Sequence, residues 1–224
     1  MRNFLKYSMM AGALIALAGT VYANSTIYIS DGSGLSGALY LASSPSGSVT
    51  TSATNIDGWT IRATGTDSGT AQNPTMNVSI SAVYGGPGSF LNIYFGSDGF
   101  GPTSANYHTA LSGSVISGTG GSIDFTNWVF TGSALPTVAN PIPSGGTGLN
   151  SPEPINLIGN SYSGTANGGP LTMSSYSMEE VITLEGNSGG SGYNINASVT
   201  VPEPSVAGMG ILAAGALGLM RRRR

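Results

Sequence analysis

The chain offers one imidazole that could act in catalysis. His108 is the only histidine of the 224 residues, and there is no cysteine. A thiol nucleophile, a disulfide framework and a cysteine-based zinc site are therefore excluded. A Ser-His-Asp triad would need His108, but no Gly-x-Ser-x-Gly turn follows a predicted strand and opens a helix. We expect His108 to be a surface or loop residue.

Carboxylates are the other groups that could carry chemistry. Glu179 and Glu180 are adjacent, so on a strand they point to opposite faces and cannot form a glycosidase pair with each other. Asp31, Asp67 and Asp98 stand in glycine-rich stretches whose oxygen atoms could bind calcium. No EF-hand loop or nonapeptide calcium repeat is present, and we expect these aspartates to stabilise turns. The sequence predicts no catalytic residue, no metal site, no cofactor and no enzymatic activity.

The two tryptophans could form platforms on which sugar rings stack. Trp59 alternates in phase with Ile61, and Trp128 alternates in phase with Phe130. Both tryptophans are therefore predicted to lie in the core. An exposed row of aromatic side chains on one sheet would instead favour a carbohydrate-binding module.

The elements that must position these residues are predicted to be β-strands. Residues 193–201 alternate strictly between apolar and polar side chains, and residues 77–84 do so with one exception. Clusters of Gly, Ser and Pro, including 65–74 and 96–105, separate about ten such segments, which is typical of sandwiches. Residues 132–154 are predicted to be a long loop. The candidate strands are 26–30, 37–42, 58–64, 77–84, 91–95, 109–117, 121–131, 155–162, 177–185 and 193–201.

This pattern predicts an all-β fold. The most favoured architecture is an antiparallel β-sandwich, and a closed β-barrel is the alternative. A β-helix would show an internal repeat of roughly 20–25 residues, and none is found. The body, residues 24–201, is expected to form one domain.

Residues 1–23 have the pattern of a secretory signal peptide. Arg2 and Lys6 precede a short apolar run, and small residues then lead to Ala23. We predict that signal peptidase cuts between Ala23 and Asn24. The apolar run is too short to span the roughly 30 Å hydrocarbon core of a membrane, which argues against a permanent anchor.

The C-terminal segment, 202–224, has three parts. The triplet Pro202-Glu203-Pro204 is followed by an apolar stretch, 206–220, predicted to be a transmembrane helix. At about 1.5 Å per residue this helix is only ~22 Å long, which suits a transient insertion. The chain closes with a basic tail that should stay on the cytoplasmic side, consisting of Arg221, Arg222, Arg223 and Arg224.

The order of triplet, apolar helix and terminal arginines resembles the PEP-CTERM sorting signal of Gram-negative bacteria. The resemblance implies recognition by an exosortase-type membrane protease that cuts near Pro202-Glu203-Pro204. The protein would cross the inner membrane transiently through 206–220 and then reach the cell surface or extracellular matrix. A second triplet, Pro152-Glu153-Pro154, is followed by no apolar segment and is not expected to act as a signal. Residues 176–184 and 193–201 also resemble the end of PEP-CTERM cargo proteins that have no assigned activity.

The body is acidic and thinly charged. Residues 24–201 contain nine acidic residues and one basic residue, Arg62, which gives a net charge of −8. Binding to nucleic acid or anionic lipid by charge is therefore not expected. The resemblance to PEP-CTERM proteins implies an exopolysaccharide or biofilm setting. There we expect a structural or adhesive protein, with exopolysaccharide as a partner beside signal peptidase and exosortase. A carbohydrate-binding module is the alternative, and a hydrolase is favoured least.

Overall fold

A computed structural model describes residues 24–31, 38–86, 90–118, 121–137, 140, 142–156, 161–187 and 190–202. These residues form thirteen β-strands and no helix. The strands are β1 Ser25–Ser30, β2 Ala38–Ser44, β3 Ser48–Ile56, β4 Trp59–Thr70, β5 Asn73–Tyr84, β6 Phe90–Phe100, β7 Thr103–Gly118, β8 Ser122–Thr131, β9 Thr147–Leu149, β10 Ile155–Asn156, β11 Ser161–Met173, β12 Tyr176–Glu185 and β13 Ser191–Thr200.

The strands form two antiparallel sheets. Sheet A has the order β10-β8-β12-β6-β1-β2, with β9 also pairing with β8, and sheet B has the order β11-β7-β13-β5-β4-β3. The predicted all-β fold is confirmed. The two sheets fit a sandwich and do not close into a barrel in the part of the chain that the structure describes. No helix in that part is long and apolar enough to cross a membrane.

The core lies between the two sheets and follows from the alternation of side chains along each strand. Trp59, Ile61 and Ala63 of β4 are buried together with Ile93 and Phe95 of β6. The sheets approach closely where Phe95 faces β4, because a Cβ atom on Gly65 would collide with its ring. Glycine at position 65 therefore lets an aromatic ring from sheet A reach the backbone of sheet B.

Several strands are longer than the sequence pattern predicts. The stretch 65–74, predicted as a separator, belongs mostly to β4 and β5, and only Ala71 and Gln72 remain as the turn. The separator 96–105 likewise belongs mostly to β6 and β7. Ser, Thr and Gly are tolerated there because the antiparallel partners supply the backbone hydrogen bonds. The predicted strand 155–162 is in part β10 and in part the start of β11, with 157–160 outside the described residues.

The predicted long loop 132–154 contains one short strand, β9, and its first part packs on the outer face of sheet A. The amide of Ala134 donates a hydrogen bond to Ser177 Oγ of β12 at 3.0 Å. Pro136 lies over Gly96 of β6 so closely that a Cβ atom on that glycine would collide with it. This cover explains why β12 is buried on both faces from Tyr176 to Ile182.

Candidate functional site

The outer face of sheet B is a continuous polar surface. Alternation turns the apolar residues of β4, β5 and β13 inward, for example Ile61, Ile80 and Ile195, and leaves the intervening polar residues outside. We call this surface the polar face and define it by Thr60, Arg62, Thr64, Ser79, Ser81, Ser112, Asn194, Asn196 and Ser198.

A shallow depression of about 430 Å³ lies at the centre of the polar face. Its polar lining comes from β4, β5 and β13, and includes Arg62, Ser81 and Asn194. A smaller depression of about 130 Å³ adjoins it and shares Ser79 and Asn196 with it. Ser79 Oγ donates a hydrogen bond to Asn196 Oδ1 at 2.7 Å, which fixes the orientation of that amide. The depression thus combines hydroxyl, amide and guanidinium groups, which hydrogen-bond well to a hydroxylated ligand.

His108 lies on the same outer side of sheet B, on β7. Its side chain is partly exposed, and its Nδ1 atom is 2.8 Å from Oδ1 of Asn167 on the neighbouring strand β11. The two residues are directly opposite each other in the register of the strands. The observed partner of the imidazole is therefore an amide and not the carboxylate of a triad.

Glu179 and Glu180 point to opposite faces of sheet A, as their adjacency predicts. Both side chains are fully buried. Burial raises the pKa of Glu179 to about 9 and that of Glu180 to about 8. A hydrogen bond with the backbone of Val199 lowers the pKa of Glu180, but by less than burial raises it. Both carboxyl groups are therefore protonated at neutral pH and do not face a common site.

The surroundings of the two glutamates differ. Glu180 lies inside the sandwich, opposite Asn127 of β8 and in phase with Met178 and Ile182. Asn127 is buried; its Nδ2 donates to Ser151 Oγ at 2.9 Å, while its Oδ1 accepts no hydrogen bond from the described residues. The sequence carries a signal for this residue, because Asn127 interrupts the apolar alternation of β8.

Glu179 lies on the outer face of sheet A, under the segment that follows β8. It is directly opposite Trp128 of β8 and Gly96 of β6. Neither of its oxygens, nor Nε1 of Trp128, makes a hydrogen bond to the part of the chain described here. Pro136 covers this region from outside by lying over Gly96.

The structure joins Asp67 and Asp98 through a cluster of serines at one end of the sandwich. Asp67 Oδ2 accepts hydrogen bonds from Ser25 Oγ at 3.0 Å and from Ser97 Oγ. Asp98 is buried and accepts a hydrogen bond from Ser133 Oγ. Burial, and to a smaller extent the charge of Asp98, raises the pKa of Asp67, whereas the two serine hydroxyls lower it.

This cluster differs from the predicted turn aspartates. Asp67, within β4, connects sheet B to sheet A through Ser25 and Ser97. Asp98, within β6, instead binds Asn24 and Ser133, which are distant from it in sequence, so neither aspartate stabilises a local turn. Asp31 follows β1 directly, and the rest of its glycine-rich stretch lies outside the described residues. Across the described ranges, no group of three or more His, Cys, Asp or Glu residues could hold a metal ion.

The two tryptophans have different environments. Trp59 is fully buried, with its ring centroid 4.7 Å from that of Tyr84 and 6.2 Å from that of Tyr193, so its core position is confirmed. The core prediction is wrong for Trp128, which lies on the outer face of sheet A and is partly exposed beside Gly148. Trp128 does share a face of β8 with Phe130, as predicted, but this face points away from sheet B.

The residues of the two predicted processing sites lie at the ends of the described chain. Asn24 precedes β1 and is exposed, and Pro202 is exposed just after β13. Val201 between β13 and Pro202 is buried, and its amide donates to the carbonyl of Pro74 at 3.0 Å. Ala23, Glu203, Pro204 and the arginines of the basic tail lie outside the described residues.

No curated protein matches the chain in sequence. Among solved structures, the enzymatically active domain of bacteriophage CBA120 tailspike protein 4 is 14% identical, with 65% of this chain and 19% of that chain covered and a TM-score of 0.33. TmCBM61 in complex with β-1,4-galactotriose is 8% identical, with 70% and 88% covered and a TM-score of 0.29.

A third solved structure is the isomalto-dextranase of Arthrobacter globiformis T6 complexed with panose. It is 10% identical, with 69% of this chain and 23% of that chain covered and a TM-score of 0.23. Because all three TM-scores are this low, these likenesses support no statement about the fold or the activity of this chain.

A family profile described as the PEP-CTERM protein-sorting motif matches residues 200–224. The match includes the triplet Pro202-Glu203-Pro204, the apolar stretch and the basic tail. The chain therefore carries a PEP-CTERM sorting motif at its C-terminal end, which implies an extracellular protein that is processed by an exosortase.

Proposed function

We propose that this protein is a non-enzymatic structural or adhesive component of the extracellular matrix and that its polar face binds matrix polysaccharide. The observation that supports this is the depression at the centre of the polar face, where Arg62, Ser79 and Asn196 are presented on a rigid sheet. Strands hold such groups at fixed spacing, so several sugar hydroxyls along one chain can be bound at once.

The chemistry of the polar face favours weak contacts repeated along a polymer. A typical hydrogen bond contributes only about 0.5–1.5 kcal/mol net, because water competes for the same groups. Affinity for a long polysaccharide then comes from many linked contacts. Arg62 is the one basic residue in 24–201, so attraction for acidic sugars is expected at this point of the body alone.

The polar face offers hydrogen bonds rather than a stacking platform. Trp59 is buried in the core, and Trp128 belongs to the other sheet. This supports an adhesive matrix protein more than a carbohydrate-binding module that holds a short sugar between aromatic rings.

The proposal includes the route to the matrix. The signal peptide would direct export, 206–220 would hold the chain transiently in the inner membrane, and exosortase would cut near Pro202-Glu203-Pro204. The mature protein would then remain at the cell surface or in an exopolysaccharide biofilm.

The test is affinity gel electrophoresis in the presence of exopolysaccharide purified from the native host. We expect the polysaccharide to retard the protein, and the triple variant Arg62→Ala, Asn194→Ala, Asn196→Ala to lose most of that retardation. The control is Asp124→Ala with Thr126→Ala, on the outer side of sheet A. Binding by the polar face would be contradicted if both variants were retarded equally, or if the unaltered protein were not retarded at all. Release of reducing ends from the polysaccharide would favour a hydrolase.

A further inference from the structure

We propose that Asp98 is the binding site of the α-ammonium group that signal cleavage creates on Asn24. The backbone nitrogen of Asn24 lies 3.0 Å from Oδ1 of Asp98. Asp98 is only 6% exposed, so this contact forms where water competes little. The inference rests on the export that is part of the proposed function, and on cleavage between Ala23 and Asn24 in particular.

The position of Asn24 is fixed by more than this one contact. Its carbonyl oxygen accepts a hydrogen bond from the backbone amide of Asp98 at 3.1 Å. The next residue, Ser25, is opposite Ser97 in the pairing of β1 with β6. The nitrogen of Asn24 is thus held beside the carboxylate by the same ladder that places β1 in sheet A.

The carboxylate is held from a third direction as well. Ser133, in the segment that follows β8, donates a hydrogen bond to Oδ2 of Asp98, so the two oxygens of the carboxylate have different partners. Oδ1 is therefore the oxygen directed at Asn24. The site is made by three separated parts of the chain.

Cleavage changes the charge of the group that Asp98 faces. Hydrolysis of the Ala23–Asn24 bond adds the hydroxyl of water to the Ala23 carbonyl and a proton to the Asn24 nitrogen, which takes up a second proton near neutral pH. An amide with one hydrogen becomes an ammonium group with three donors. The hydrogen bond to Asp98, in which only the acceptor is charged before cleavage, would then join two opposite charges.

The new ammonium group supplies a charge that the body otherwise lacks at this point. Asp98 lies close enough to Asp67 for its charge to raise the pKa of Asp67. The one basic side chain of residues 24–201, Arg62, is on the outer face of sheet B. Signal cleavage would therefore place one positive charge beside these two carboxyl groups and stabilise the fold only after export.

The sequence allows a specific test, because Lys6 is the only lysine and it precedes the cleavage site. The α-amine of Asn24 would be the one primary amine of the mature protein. We would purify the protein from its native host, verify its first residue by intact mass, and measure the rate of acetic anhydride labelling against pH. A free α-amine titrates near 7.7–8.0, and we expect the midpoint to rise by about one pH unit, with about tenfold slower labelling at pH 7.

Two comparisons separate an ion pair from simple shielding. Labelling of the same protein in concentrated urea should return the midpoint to the ordinary value without any mutation. Asp98→Asn should also return it, while Asp124→Asn should leave it raised. A midpoint that is the same in folded protein, urea and Asp98→Asn would overturn the proposal, as would a mature chain that does not begin at Asn24. Neither result depends on polysaccharide binding by the polar face.

Discussion

Glu180 lies directly opposite Asn127 across the pairing of β12 with β8, inside the sandwich. Directly opposed residues have Cβ atoms about 4.5–5.5 Å apart, so their polar ends are neighbours. Asn127 Oδ1 is a buried acceptor without a hydrogen bond from the described residues, and a protonated carboxyl group is a donor. The neutral form of Glu180 therefore suits this position, and the charged form does not.

The first prediction is that the protein becomes less stable as pH rises from about 4.5 to 8. In the folded state burial raises the pKa of Glu179 to about 9 and that of Glu180 to about 8. Both side chains therefore keep a proton that they release in the unfolded chain, where their pKa has its ordinary value of 4.5. Their stabilising contribution is complete below about pH 4.5 and is lost as pH rises through the folded values. Each glutamate should lower the free energy of unfolding by about 1.4 kcal/mol per pH unit. Urea unfolding at several pH values measures this, and a free energy that rises with pH in this range would contradict it.

The second prediction assigns part of that slope to one side chain. Glu180→Gln keeps the size of the side chain and a donor for Asn127 but removes the ionisable group. We expect the pH slope to fall by about half, and the variant to be more stable than the unaltered protein at pH 8. Glu185→Gln, at the exposed end of β12, is the control and should leave the slope unchanged. An unchanged slope in Glu180→Gln would show that Glu180 ionises without cost in the folded state.

The third prediction concerns the close approach of the two sheets. Gly65→Ala places a methyl group against the ring of Phe95, and overpacking of this kind costs about 1–3 kcal/mol. Gly169→Ala is the matched control, since a Cβ atom there has no neighbour within 4 Å. Thermal unfolding compares the two variants. Addition of Phe95→Leu to Gly65→Ala should recover part of the loss, and equal stability of the two glycine variants would refute the close approach.

The fourth prediction concerns sorting. We expect the mature chain to end near Pro202-Glu203-Pro204 and to lack Arg221–Arg224. Glu203→Ala should leave export intact and block processing, because Glu203 is the one charged group of a triplet whose two prolines favour an extended backbone. A longer, membrane-retained form would then accumulate.

The second triplet of the chain provides the control for sorting. Glu153→Ala changes Pro152-Glu153-Pro154, which no apolar segment follows, and should have no effect on processing. Intact-mass measurement of protein from the native host decides the matter. A mature species that still carries the four arginines would show that the chain is anchored by its tail and is not processed.

Alternation in the sequence was sufficient to predict the strands whose inner residues are large. β5 and β13 are examples, since Val78, Ile80, Ile195 and Val199 mark their inner face. β3 was not predicted at all, and β11 was predicted only at its first two residues, because both strands are rich in Ser, Thr and Gly and lie at the edges of sheet B. Their strand form depends on the neighbouring strand rather than on their own side chains.

The candidate sites show the same limit. The phase of Trp128 with Phe130 was predicted, but a period of two identifies residues that share a face and not the element that covers it. The contact of Ser97 with Asp67 joins residues 30 positions apart in different sheets, and local spacing contains no signal for such a pair. Glu179 and Glu180 were placed on opposite faces. The burial of Glu179 required knowledge of the cover at Pro136, and that of Glu180 required knowledge of the facing sheet.

The place of β13 has a mechanical consequence whenever the protein is pulled by its C-terminal end. β13 is the last strand among the described residues, yet it lies between β7 and β5 in the middle of sheet B, and it ends just before the sorting triplet. Tension applied beyond Pro202 acts along β13 and loads its backbone hydrogen bonds to both neighbours in shear. These bonds must break together rather than one after another, so the sandwich resists a pull from its tail better than an edge strand would.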